Sequence, residues 1–196
     1  MSAETVADDA IAIALLVARA IEQVGGRYFI GGSLASSLQG EPRATNDIDI
    51  VLDMPLGRCS ALVDALGADF EVDVAALRRA LADCSCHNVF YLPVVTKIDL
   101  FGLGTSPFDQ SEFSRRGSVA IAESGERLVF KSPEDTVLRK LLWFREGGGV
   151  SDKQWRDVVQ VLRVSGATMD HPYLQLWAAK LTLVELLERA LREARP

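Results

Sequence analysis

Residues 31–50, GGSLASSLQGEPRATNDIDI, decide how the rest of the chain is read. Gly31 and Gly32 break the short aromatic run at residues 27–30, and Ser33 then opens a segment that Gly40 stops. Serine is a favoured helix N-cap and glycine a favoured helix end, so the pattern predicts a strand, a glycine turn and a short helix. After a loop through Pro42, residues 47–53 (DIDIVLD) alternate acid and aliphatic with the period of a β-strand. Ile48, Ile50 and Leu52 then face one way and Asp47, Asp49, Val51 and Asp53 the other. The carboxylates therefore share a face.

Working outward, residues 3–24 carry Val6, Ala10, Ile13 and Ala20 at helical spacing and end at Gly25-Gly26, which predicts an amphipathic helix. Downstream, helical patterns cover roughly 56–66 and 73–83, followed by strand-like runs at 88–92 and 94–103 that Pro93 separates. A strand pair is expected at 118–123 and 127–131, turned by Ser124-Gly125. At Ser132 the composition changes: a serine N-cap, Pro133 at the first helical position and Asp135 three residues on make a strong helix start. Helices are expected at 133–146, 151–165 and 171–194. The expected class is α+β, with residues 1–131 as a mixed sheet flanked by helices and residues 132–196 as a helical subdomain.

Composition narrows the function classes. With 196 residues, 48% of them hydrophobic, the chain has material for a full core. Its net charge of −6 argues against broad adhesion to nucleic acid or anionic membrane, although a local basic groove would still hold an RNA end. The apolar run at residues 10–21 is interrupted by Arg19, well short of the ~20 residues a membrane span needs. The small-x-small pattern at residues 18–20 is preceded by Glu4, Asp8 and Asp9, where a signal peptide would be basic. Cys59, Cys84 and Cys86 are an odd number, which suits free thiols in a reducing compartment, so a cytoplasmic protein is expected. Cys84, Cys86 and His87 have no second Cys or His pair to complete a zinc site, and the only other histidine is His171. That scarcity also argues against Ser-His-Asp or Cys-His hydrolysis.

The glycine turn, the D-x-D strand and a lone aspartate, Asp99, in VVTKIDLFGL (94–103) follow one another in that order. Taken separately, each has a bland reading: backbone geometry for the glycines, a solvated edge for the acids. Together they suit phosphoryl chemistry. A nucleoside triphosphate needs N–H groups and a helix N-terminus for its phosphates, which Gly31, Gly32 and Ser33 would provide. Magnesium needs hard oxygen ligands, which Asp47, Asp49 and Asp99 would provide, with Asp99 also the natural base for an acceptor hydroxyl. Carboxylates converging on one spot repel one another, and structure alone gives little reason for them. Asp53 has the same parity but lies at the strand end, where solvation is expected.

Residues 31–50 resemble the signature of the polymerase-β-like nucleotidyltransferases, a glycine-rich turn followed after a helix by D-h-D, and KIDLF resembles the family's strand with the third carboxylate. The tail, SPEDTVLRKLLWFREGG and then SDKQWRDVVQVL, is similar to bacterial AbiEii-like nucleotidyltransferases of the type IV toxin group and their relatives. The resemblance spans about residues 27–165 and implies the nucleotidyltransferase fold, Mg2+ (or Mn2+) as cofactor and an NTP as substrate. It implies that Lys140 and, in the Arg156-Asp157 pair, Asp157 help hold the nucleotide, and that Arg43 and Thr45 in an Arg-x-Thr-x-Asp pattern flank the site, the arginine meeting a phosphate. Helical spacing puts Lys140 at the edge of the stripe of Val137, Leu138, Leu141 and Phe144. It puts Asp157 with Lys153, Arg156 and Gln160, opposite Trp155, Val158 and Leu162, a face that is either solvated or part of a site. The activity implied is transfer of a nucleoside monophosphate to a hydroxyl. The acceptor would be a tRNA end, with a cognate antitoxin as partner, or a small molecule such as an aminoglycoside. Two other classes stay open at this point: a catalytically silent nucleotide- or partner-binding module, and a helical interaction protein built on residues 171–194.

Overall fold

A computed structural model of the chain describes residues 9–42, 45, 47–121 and 125–195. The chain divides into two compact units, Met1–Leu34 with Thr45–Phe130 and Ala35–Ala44 with Lys131–Pro196. Arg43 lies outside the described residues, as do the first residues of the helix expected at 3–24.

In the first unit a seven-stranded sheet has the order β3-β4-β5-β2-β1-β7-β6. Its strands are β1 (Arg27–Ile30), β2 (Asp47–Asp53), β3 (Phe70–Glu71), β4 (Cys86–Tyr91), β5 (Thr96–Gly102), β6 (Gly117–Ala120) and β7 (Arg127–Phe130). The sheet is mixed: β2 pairs antiparallel with β1 and parallel with β5, and β4 pairs antiparallel with β5. Ile48, Ile50 and Leu52 of β2 and Ile98 and Leu100 of β5 are all buried, as their period-two pattern requires. Helices α1 (Ala10–Gln23), α3 (Cys59–Leu66) and α4 (Val74–Ala82) supply the cover, α1 packing on β1, β2 and β7 and α4 on β4 and β5. Gly102, in step with Ile98 and Leu100, fixes which face they cover. A methyl group there would lie 2.9 Å from the Leu81 carbonyl oxygen, so only glycine lets α4 approach so closely.

Where the structure departs from the sequence reading, local causes are visible. Helix α1 starts at Ala10 because the Asp9 carboxylate accepts the Ala12 N–H at 2.7 Å, a conventional N-cap. The pattern at 56–66 resolves into a 3₁₀ turn at Leu56–Arg58 followed by α3. Helix α5 (Pro107–Ser114) was not anticipated, although Ser106 and Asp109 form a full capping box with Pro107 in the first turn.

In the second unit, α6 (Pro133–Glu146), α7 (Asp152–Ser165), α8 (His171–Lys180) and α9 (Val184–Ala194) pack together. Helix α2 (Gly32–Gln39) begins in the first unit and ends in the second. The single helix expected at 171–194 is instead two. Thr182 sits at φ +56°, the Leu183 N–H reaches back to the Ala178 carbonyl at 2.8 Å, and the Thr182 N–H meets the Ala179 carbonyl at 3.2 Å. This is a Schellman ending with threonine where glycine is usual. The Arg145 guanidinium donates to the Thr182 hydroxyl at 2.9 Å and to the Leu181 carbonyl, holding a turn that composition does not announce. Among the described residues no helix is long and apolar enough to cross a membrane.

Candidate active site

Strands β2 and β5 run side by side in parallel, with Asp47 opposite Lys97 and Asp49 opposite Asp99. Directly opposed residues of neighbouring strands project to the same side. Asp47, Asp49, Lys97 and Asp99 thus form a four-sided group on the face opposite the buried isoleucines. The Lys97 Nζ donates to Asp99 Oδ2 at 2.8 Å. The other oxygen of that carboxylate, Oδ1, is buried without a hydrogen-bond partner. A buried carboxylate oxygen with no donor is costly and points to a missing positive group.

Asp49 lies against the glycine turn. Gly32 has φ +54°, and a methyl group on it would fall 1.7 Å from Asp49 Oδ2. The turn therefore needs glycine twice, for its left-handed backbone and for the space the carboxylate fills. The Gly31 N–H donates to the Asp49 carbonyl at 2.9 Å, so this glycine shapes the turn and its own N–H is already committed. Gly32 and Ser33 open α2, the segment assigned to phosphate from the sequence. We expect Gly32→Ala to cost about 1–2 kcal/mol of backbone strain. Its larger effect would be to push the Asp49 carboxylate aside, lowering transfer by roughly a hundredfold. Thermal melting and turnover measured on one preparation check this; loss of both in proportion would contradict it.

Asp47 is exposed at the start of β2, where its N–H donates to Thr45 Oγ1 at 3.4 Å and the Thr45 hydroxyl returns to the Asp47 carbonyl at 3.3 Å. Thr45 thus touches the backbone of the first carboxylate residue. Asp53 is only part-exposed and is paired with Arg27, whose Nε donates at 3.1 Å, so its charge is balanced away from the group.

The electrostatics follow from this convergence. The hydrogen bond to Asp99 raises the Lys97 pKa, desolvation opposes it, and the charges of Asp99, Asp47 and Asp49 add to it. One ammonium feels all three acids. Cys86, although exposed, has its thiol pushed up to about 11, first by desolvation, then by Asp99, with Lys97 opposing and Asp49 adding. A thiol raised in the fold keeps its proton where the unfolded thiol has lost it, so its contribution to stability falls as pH rises through 9 towards 11. In a Cys84→Ser background, alkylation of Cys86 should rise only well above pH 9, and Asp99→Asn should move that rise to lower pH. A pH profile of labelling that ignores Asp99→Asn would refute the shared field.

The donor set suits a hard divalent ion: oxygen ligands only, an orphaned oxygen on Asp99, and more negative than positive charge. Among the described residues no three His, Cys, Asp or Glu side chains are already gathered at metal-holding distance.

Lys140 and Asp157 belong to the second unit. Neither lies on a solvated face: Lys140 Nζ donates to Asp157 Oδ2 at 2.8 Å, and both side chains are almost fully buried, 5% and 8% exposed. Gln154 Oε1 accepts from Lys140 at 3.3 Å, and the Ser36 hydroxyl donates to Asp157 Oδ2 at 3.2 Å. Arg156, beside Asp157 in sequence, is exposed and pairs with Glu41 at 2.9 Å. Lys97 is the residue sequence reasoning missed, although its place two residues before Asp99 puts it on the same strand face.

No family model matches the chain, and no curated protein sequence matches it. Solved structures do, among them the three that follow. The antibiotic-resistance factor ANT(2'')-Ia in solution aligns over 91% of this chain and 95% of its own, with TM-score 0.55 and 16% identity. An antigenic nucleotidyltransferase-like protein from Paracoccidioides brasiliensis aligns over 93% and 91%, with TM-score 0.58 and 18% identity. ANT(2'')-Ia in complex with adenylyl-2''-tobramycin aligns over 88% and 97%, with TM-score 0.51 and 12% identity. The chain has the nucleotidyltransferase fold, an α+β architecture on a mixed sheet.

Proposed function

We propose that this chain transfers a nucleoside monophosphate from a nucleoside triphosphate to a hydroxyl acceptor, releasing pyrophosphate. The observation that carries the reading is the register of β2 on β5, which sets Asp49 opposite Asp99 while Gly32 makes room for the Asp49 carboxylate. Asp47, Asp49 and Asp99 would hold Mg2+ or Mn2+, which when bound supplies Lewis acidity towards the phosphates. The triphosphate would be received where Gly32 and Ser33 open α2, on a turn shaped by Gly31, with Thr45 beside Asp47, and Arg43, which precedes Thr45 in the Arg-x-Thr-x-Asp pattern, is proposed to meet a phosphate. Asp99 takes the proton of the acceptor hydroxyl as the new oxygen–phosphorus bond forms at the α-phosphorus and the bond to pyrophosphate breaks. Lys140 and Asp157 enter through the resemblance of the tail, as residues that help hold the nucleotide.

The catalytic part is assigned to residues 1–131 and the helical subdomain to 132–196, acting in the cytoplasm. The resemblance of the tail to AbiEii-like enzymes favours an RNA end, such as that of a tRNA, as acceptor and an antitoxin as partner. A second reading, a small-molecule acceptor, is favoured by the likeness to an enzyme solved with adenylyl-2''-tobramycin and by the net charge of −6.

The test is incubation of α-labelled triphosphates and Mg2+ with total RNA or with aminoglycosides, comparing the native protein with Asp49→Ala. Label transferred by the native protein alone supports an enzyme, and the labelled acceptor chooses between the two readings. Triphosphate bound but never transferred would make the chain a silent nucleotide-binding module.

A further inference from the structure

We propose that Lys97 is the resident counterion of the carboxylate group, holding Asp99 until a divalent cation arriving with the triphosphate displaces it. The inference rests on the reading of Asp47, Asp49 and Asp99 as metal ligands. Its own support is geometric. Lys97 is opposite Asp47 across the β2–β5 ladder and two residues from Asp99, so its stem starts inside the group. Its Nζ lies 2.8 Å from Asp99 Oδ2, the oxygen of that carboxylate that has a partner, while Oδ1 has none.

The ammonium brings one positive charge against three carboxylates, and its hydrogen bond goes to Asp99 Oδ2, so negative charge is left over. A divalent ion would answer more of it. An ion taken up on Oδ1 would repel the ammonium on Oδ2 of the same carboxylate and loosen its hold. The Lys97 side chain is 37% exposed while that of Asp99 is 14% exposed, so the lysine has open solvent to move into with little loss of packing. Once displaced, its charge stands beside arriving phosphates and favours them. The ion alone must break the pair without compensation, whereas the ion with triphosphate gains a new partner for the lysine. Metal uptake is thereby coupled to substrate.

The experiment is titration of the full-length protein with Mn2+ alone, without nucleotide, followed by calorimetry or by loss of the free-ion electron paramagnetic resonance signal. Lys97→Met should bind Mn2+ about fivefold more tightly than the native protein, the scale of a part-exposed ion pair. Lys97→Arg, which keeps the pair, should stay near the native affinity. Melting gives a second readout: Lys97→Met should melt lower than the native protein in EDTA and regain the difference when Mn2+ is added. Should that variant not fold, Lys97→Gln carries the same expectation. Affinity unchanged or weakened in the lysine variant, with binding still abolished by Asp49→Asn, overturns the counterion role alone. Mn2+ binding that is absent throughout, or indifferent to Asp49→Asn, overturns the metal-site reading and this inference with it.

Discussion

Asp49→Ala is expected to lower nucleotidyl transfer by at least about a thousandfold. A bound metal supplies several kcal/mol of transition-state stabilisation, and each ~1.4 kcal/mol is tenfold in rate. Asp49 is the acid best placed for that work, because it lies in register with Asp99 and fills the space above Gly32. The same substitution should not lower the melting temperature. Two acids opposite each other on adjacent strands repel, so removing one relieves the fold while it disables the site. Activity and stability are thus expected to move in opposite directions, the mark of a residue retained for function. A variant that keeps a tenth of native turnover, or that loses activity only because it unfolds, would sink the assignment.

Lys140→Met carries the largest expected effect on stability. The ammonium lies within a nearly closed environment beside Asp157, and its loss removes the positive partner of a buried carboxylate that the Ser36 hydroxyl also meets. Breaking one half of a buried pair typically costs about 3–5 kcal/mol, whereas replacing both halves by apolar groups is often nearly neutral. Lys140→Met should therefore melt lower by about 6–20 °C, at ~2–4 °C per kcal/mol for a chain of this size. The double variant Lys140→Met with Asp157→Leu should recover most of the loss. If the single variant melts like the native protein, the pair is not the internal brace the structure presents. A direct contact between the lysine and the nucleotide would then be the better reading.

Much of the site could be read before any coordinates existed because it is written in short-range periodicity. The alternation in DIDIVLD placed Asp47 and Asp49 on one face, and β2 has those bounds. Ser132, Pro133 and Asp135 likewise announced α6, whose cap is formed by the Ser132 hydroxyl accepting the Asp135 N–H at 3.1 Å. What stayed hidden depends on partners distant in the chain. That β2 would pair with β5, across α3, α4 and two intervening strands, is a property of the sheet and not of either segment. Asp157 was ambiguous for the same reason: helical spacing separates faces, but only packing shows that Lys140 and Ser36 meet it. The break between α8 and α9 eluded the sequence because Thr182 adopts a backbone usually reserved for glycine, with Arg145 bonded to it. Helix α5 is a different case, since its capping box of Ser106 and Asp109 with Pro107 is a local signal that the sequence itself carries.

The most direct measurement is a crystal of the protein grown with Mn2+ and a non-hydrolysable triphosphate analogue, with anomalous scattering recorded for the metal. A peak at about 2.0–2.3 Å from carboxylate oxygens of both Asp49 and Asp99, with the analogue's phosphates against the start of α2, is the predicted result. Metal located elsewhere, or phosphates bound away from Gly32 and Ser33, would contradict the assignment.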